Sequence, residues 1–175
     1  IVAPHVKRFK VASFEARDHE FLIEHNRYPQ PVILSTGMMT TLQTVDAVRA
    51  LRHVEAVLHC CSAYPAPDAD LNLGAIWALR ETFRFYMRAR FGFSDHTRDV
   101  LTGGLAVAAG AEVLEVHYRL DDTPATNPDY PHSLTPSELQ AYVAFARRAE
   151  RMVGNGDKRL MPAEEPMACY RVLQP

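Results

Sequence analysis

Two textures alternate along the chain. Short runs rich in β-branched residues, apolar on both faces, give way to longer stretches whose apolar residues recur every three or four positions. The first kind predicts buried parallel strands and the second amphipathic helices. Phe9 to Ser13 (FKVAS) reads as a strand, and DHEFLIEHN after it as a helix with Asp18 at the N-cap. Pro31 to Thr36 (PVILST) is a second strand, followed by Leu42, Val45, Val48 and Leu51 at helical spacing. Glu55 to Cys61 (EAVLHCC) is a third, followed by a helix carrying Leu73, Ile76, Trp77 and Arg80. Arg90 to Asp95 (RFGFSD) is a fourth, weakened by Gly92, and DVLTGGLAVAAG is a small-residue helix suited to close packing on a sheet. Glu112 to Leu120 (EVLEVHYRL) is the fifth strand. The last helix is the best marked: Thr135 at the N-cap, Pro136 at the first helical position and Glu138 closing a capping box. Leu139, Tyr142, Val143, Ala146 and Val153 form its inward stripe, and Gly154 ends it.

Five strand–helix units in succession predict an α/β fold of parallel strands joined by right-handed crossovers. An open doubly wound sheet calls for a glycine-rich phosphate loop after a strand, and the chain has none. A complete (β/α)8 barrel takes about 250 residues; this chain has 175 and five units, roughly five-eighths of one. Residues 1–153 are therefore expected to form a partial (β/α)8 TIM-type barrel, and 154–175, Pro-rich and irregular, a C-terminal extension or linker.

Composition narrows the classes. Hydrophobic residues make up 47% and charged residues 23%, enough apolar material for a packed core and too much for disorder. The net charge of −2, with Lys and Arg scattered, leaves no basic footprint for nucleic acid. No apolar run is long enough to span a bilayer. No signal peptide is visible, although a chain that opens on Ile1 rather than Met gives that absence little weight. Three cysteines (Cys60, Cys61, Cys169), two of them adjacent, make no disulfide framework, and a reducing cytoplasm is the expected compartment.

Ligands of parallel α/β folds bind at the C-terminal ends of the strands. Here those ends are polar: Lys10, Ser13 and Glu15; Ser35, Thr36 and Gly37; Ser62 and Tyr64; Ser94, Asp95 and His96; Glu115 and His117. A strand-end serine also serves as a helix cap, and a single strand histidine as a hydrogen-bonded core residue. Two histidines at the same end of neighbouring strands, about 4.8 Å apart, are different, because both imidazoles can reach one divalent ion. Mixed nitrogen and oxygen ligation suits Mn²⁺, whereas a structural Zn²⁺ wants four closed protein ligands. His5, His19, His25, His53 and His132 fall in helices or loops and are expected to be solvated; His59 reads as structural.

The words KVASFE, PVILSTGM, HCCSAYPAP, GFSDHT and EVLEVHYRLDD, followed by NPD and SLTPSEL, stand in an order and spacing that resembles the sialic acid synthase family from about Lys10 to Glu165. In ASFE and SAYPAP the chain is more similar to the pseudaminic acid synthase branch than to the N-acetylneuraminate branch, which usually shows ASGE and SNYP. The resemblance implies the last five units of a (β/α)8 barrel. It also implies a transferase reaction, condensation of phosphoenolpyruvate with an N-acylated amino sugar to a nonulosonic acid, with Mn²⁺ as cofactor. His96 and His117 are the implied metal ligands and, with Glu15, the candidate catalytic residues. Lys10, Ser13, Ser35, Ser62 and Ser94 are implied to hold the phosphate and carboxylate of phosphoenolpyruvate. Glu15, Tyr64 and Asp129 are implied to face the sugar, with Phe14 reshaping its pocket. Some members carry Asn at the position of Ser62. The full-length protein is expected to be a homodimer, with three further barrel strands and a C-terminal antifreeze-like domain outside these 175 residues. Two other readings compete: a non-catalytic barrel remnant acting as an assembly module, and a metal-dependent barrel hydrolase in which His96 and His117 activate water. Neither needs Lys10 beside a ring of serines.

Overall fold

The computed structural model describes residues 3–171. Its five strands are β1 (Phe9–Val11), β2 (Val32–Ser35), β3 (Val54–Cys60), β4 (Arg90–Asp95) and β5 (Val113–Val116). They pair in strict chain order, and every neighbouring pair is parallel. A doubly wound sheet reverses its strand order part-way; a sheet wound in one direction only is barrel-like. Each strand leads to one helix: α1 (His19–His25), α2 (Thr41–Ala50), α3 (Gly74–Phe83), α4 (Thr102–Ala108) and α5 (Pro136–Val153). No helix among the described residues is long and apolar enough to cross a membrane.

The core lies between sheet and helices. Val11, Leu34, Val57, Phe91 and Phe93 from the strands meet Leu22, Val48, Ile76, Leu79 and Phe83 from the helices. Five of the six residues of β4 are buried. Gly92 is what allows this: a Cβ there would stand 2.1 Å from the Val113 carbonyl oxygen and 2.7 Å from Leu58. The glycine expected to weaken the strand is the residue that lets β5 approach it. The helix starts follow their side chains. Asp18 accepts the Phe21 N–H at 3.0 Å, and Thr135 and Glu138 form the expected capping box. Thr40 and Gln43 form a second box, at the start of α2.

The structure corrects several sequence expectations. Leu42 and Trp77 point to solvent, and the inward positions of α2 and α3 are Thr44, Ala47 and Val48, and Ile76, Leu79 and Phe83. Strand β5 ends at Val116 rather than Leu120. The chain turns out and returns beside itself, with Tyr118 bridging to Leu134 and the His117 carbonyl accepting the Leu134 N–H at 2.8 Å. On α5 only Tyr142 is buried, and Val143 and Val153 are exposed. The helix packs chiefly on α4, closely, because Gly103 and Gly104 bring it in. The rest of its stripe faces out past β5, which has one strand neighbour among the described residues. Beyond Gly154 no described residue is buried.

Candidate functional site

The parallel register sets Cys60, Ser94 and Glu115 side by side on β3, β4 and β5. Two polar groups grow from that row. In the first, at the ends of β1 to β3, the Gly37 N–H donates to Ser13 Oγ at 2.9 Å. Ser13 Oγ lies 3.1 Å from Cys60 Sγ, and Ser62 Oγ lies 3.9 Å from the same sulfur. No side chain but hydrogen fits at Gly37: a Cβ would stand 2.1 Å from Ser62 Oγ and 2.9 Å from Ser13 Oγ. Across the sheet, Glu115 pairs with Lys10 at 3.3 Å and accepts from Ser35 Oγ at 3.3 Å. A lysine and several hydroxyls on one rim, with Ser13 fixed by the Gly37 N–H, make an anion cradle whose donors suit phosphate and carboxylate oxygens.

The second group lies at the ends of β4 and β5. His96 is buried, its Nδ1–H donating to the Cys61 carbonyl at 2.8 Å, which leaves Nε2 as the free lone pair, 3.5 Å from Ser94 Oγ. Burial holds this imidazole below its ordinary pKa, and the neighbouring His117 pushes the same way. A histidine whose far nitrogen is tied to a carbonyl is oriented as metal-ligating histidines are. Its ring centroid is 5.3 Å from that of His117, which in turn lies 4.6 Å from His132. Tyr64 stands among the three rings, 4.3 Å from His96, 5.9 Å from His117 and 4.9 Å from His132. Partial burial raises its phenol above the ordinary value, so the hydroxyl keeps its proton at neutral pH.

Asp129 sits in the loop between β5 and α5, with one oxygen 3.5 Å from His117 Nδ1 and the other 3.5 Å from His132 Nε2. One donor atom each from His117, Asp129 and His132 lies within 4.8 Å of the other two. Two imidazoles and a carboxylate converging in this way can hold a divalent metal ion. His96 stands beside these three rather than among them.

Nine of the ten candidate residues thus meet in these two groups. Glu15 does not. It is exposed in the turn after β1, and its carboxylate makes no hydrogen bond or ion pair among the described residues; Phe14 beside it is likewise exposed. His132, expected to be solvated, is 4% exposed. Sequence periodicity could not find it, because it lies in a single 3-10 turn, Tyr130–His132, between β5 and α5. The available signal was Leu134, an apolar residue just before the N-cap, which packs inward and draws 132–134 down onto the rim. Glu115 was visible as a strand-end carboxylate, and its role as the partner of Lys10 and Ser35 needed the register. His59 is structural as expected, held by the Leu71 carbonyl at 2.8 Å.

A sequence model described as the NeuB family matches residues 1–158. The chain is 33% identical over 166 residues to the N,N'-diacetyllegionaminic acid synthase of Campylobacter jejuni, covering 91% of this chain and 48% of that protein. It is 35% identical over 152 residues to a pseudaminic acid synthase of the same species, covering 85% and 43%. Identities this close do not separate the branches. Among solved structures it superposes on the N-acetylneuraminic acid synthetase of Leptospira borgpetersenii with a TM-score of 0.85 and 30% identity, over 95% of this chain and 58% of that one. The chain spans about half the length of the relatives it matches.

Proposed function

The chain belongs to the NeuB family, and from that premise we propose that it supplies the phosphoenolpyruvate and metal side of a nonulosonic acid synthase. The enzyme is a transferase that condenses phosphoenolpyruvate with the open-chain aldehyde of an N-acylated amino sugar. The observation that carries this reading is the meeting of Lys10, Ser13, Ser35 and the Gly37 N–H with the histidine group on one rim. A hydrolase needs the second group alone, and a remnant needs neither.

Lys10 and the hydroxyls of Ser13, Ser35, Ser62 and Ser94 hold the phosphate and carboxylate, and Glu115 keeps Lys10 and Ser35 aimed inward. The enol carbon of phosphoenolpyruvate attacks the aldehyde carbon, and the aldehyde oxygen takes a proton. Water adds to C2, and phosphate then leaves with its bridging oxygen, so that C2–O breaks and a ketone remains. A divalent ion, Mn²⁺ by resemblance, would be held by His96 and His117 and would supply Lewis acidity toward the aldehyde oxygen. Tyr64 and Asp129 border the sugar, and the resemblance assigns Glu15, which stands apart from both groups here, to the sugar as general base or orienting group. The full protein works as a homodimer in the cytoplasm, where free Cys60, Cys61 and Cys169 are stable.

Phosphoenolpyruvate labelled with oxygen-18 at the bridging position tests the chemistry. The label is expected in released phosphate; label retained in the sugar acid, meaning P–O cleavage, would overturn the proposal.

A further inference from the structure

Both ring nitrogens of His132 are buried without a hydrogen bond of acceptable geometry, although the ring is only 4% exposed. A buried polar group left without a partner is costly, so the position calls for one. The Asp129 carboxylate stands 3.5 Å from His132 Nε2 and 3.5 Å from His117 Nδ1. That separation is too long for a charge-assisted hydrogen bond, at about 2.7–2.9 Å. It suits donors that share one ion: two ligands each about 2.1 Å from a metal stand roughly 3–4 Å apart. Mutual approach of all three donors within 4.8 Å meets the same condition.

We propose that His132 and Asp129 join His117 as ligands of the divalent ion, so that the ion ties the β5–α5 loop to the barrel rim. This rests on the metal-dependent reading above and adds two ligands to it, giving Asp129 a place at the ion beyond its sugar-facing one. Within the tip the Asp129 N–H donates to Asn127 Oδ1 at 2.9 Å and Ser133 Oγ donates to the Asp129 carbonyl at 2.7 Å, bonds that shape the loop without reaching the strands. Its base is closed by the Tyr118–Leu134 bridge, and Arg119 lies over the Tyr130 ring at 4.1 Å. Asp129 itself remains 61% exposed. The consequence is specific: Mn²⁺ orders the segment from Asn127 to Ser133.

The test uses the protein as its gene encodes it in full, with Mn²⁺ alone as probe. Titration by electron paramagnetic resonance gives the affinity, pulsed measurements count coupled imidazole nitrogens, and hydrogen exchange follows the loop. His132→Phe, which fills the volume without a donor, is expected to bind Mn²⁺ about tenfold or more weaker. It should also show one imidazole fewer and lose the Mn²⁺-dependent protection of Asn127 to Ser133. If His132→Phe fails to fold by circular dichroism, His132→Gln is read in the same way, and Asp129→Asn by affinity and loop protection alone. Wild-type affinity and an unchanged nitrogen count in a folded His132 variant would overturn the proposal and leave the ion to His96 and His117. A protein that binds Mn²⁺ as expected yet releases no phosphate keeps this assignment and sinks the synthase reading instead.

Discussion

Gly37 is the residue on which the anion cradle turns. Its N–H reaches Ser13, and its missing side chain leaves room for Ser13, Cys60 and Ser62 to converge. Gly37→Ala puts a carbon 2.7 Å from Cys60 Sγ as well as against both hydroxyls. The expected result is a folded protein whose apparent affinity for phosphoenolpyruvate falls about tenfold or more, the scale of one hydrogen bond to a charged group, while Mn²⁺ binding is unchanged. Equal losses of both would show that the two groups do not separate. At this scale the sequence was informative wherever a side chain sits on a strand or directly at its C-terminal end. Period two and the C-terminal-end rule together marked Lys10, Ser35, Ser94, His96 and His117. They did not mark His132, because the return of a loop to the rim is set by tertiary packing of Leu134, which no local period encodes.

Between elements, a buried hydrogen bond joins α5 to the sheet. Tyr142 donates to Asp95 at 3.0 Å, and Asp95 also accepts from the Thr97 N–H and hydroxyl at 2.8 and 2.7 Å. Burial raises the Asp95 carboxyl above its ordinary value despite those donors. Tyr142→Phe removes one donor from a buried carboxylate and is expected to cost about 1–3 kcal/mol, read by urea denaturation near neutral pH. Gly103→Ala drives a methyl to within 2.4 Å of the Tyr142 ring and is expected to cost about as much by overpacking. A neutral outcome for both would mean that α5 does not depend on this contact. The strands could be read from their β-branched runs and the helix starts from their caps. The end of β5 and the outward part of the α5 stripe could not, since each depends on whether a neighbour stands beyond β5.

Over the whole molecule, burial lowers the pKa of His59, His96 and His132 below the ordinary 6.5. The unfolded chain takes up these protons first as pH falls, so stability present above 6.5 is lost as pH drops toward the lowered native values. Asp95 acts in the opposite sense in the acid range. Its raised native value means that its contribution is complete below 3.8 and lost as pH climbs through the raised value. Metal-free protein is therefore expected to need less urea at about pH 5.5 than at about pH 7.5, and His59→Gln to shrink that difference. Equal midpoints at both pH values would contradict the burial described. The single-direction winding that makes this half of a barrel was readable from five repeated units, and its parallel register is what turns separate strand-end residues into one rim. The most direct measurement is phosphate release from phosphoenolpyruvate by the full gene product with Mn²⁺ and a panel of N-acylated hexoses, with Lys10→Ala and His117→Ala beside it. Release that requires one of the sugars and disappears in both variants is the predicted result; no sugar-dependent release from a folded, Mn²⁺-loaded protein would contradict it.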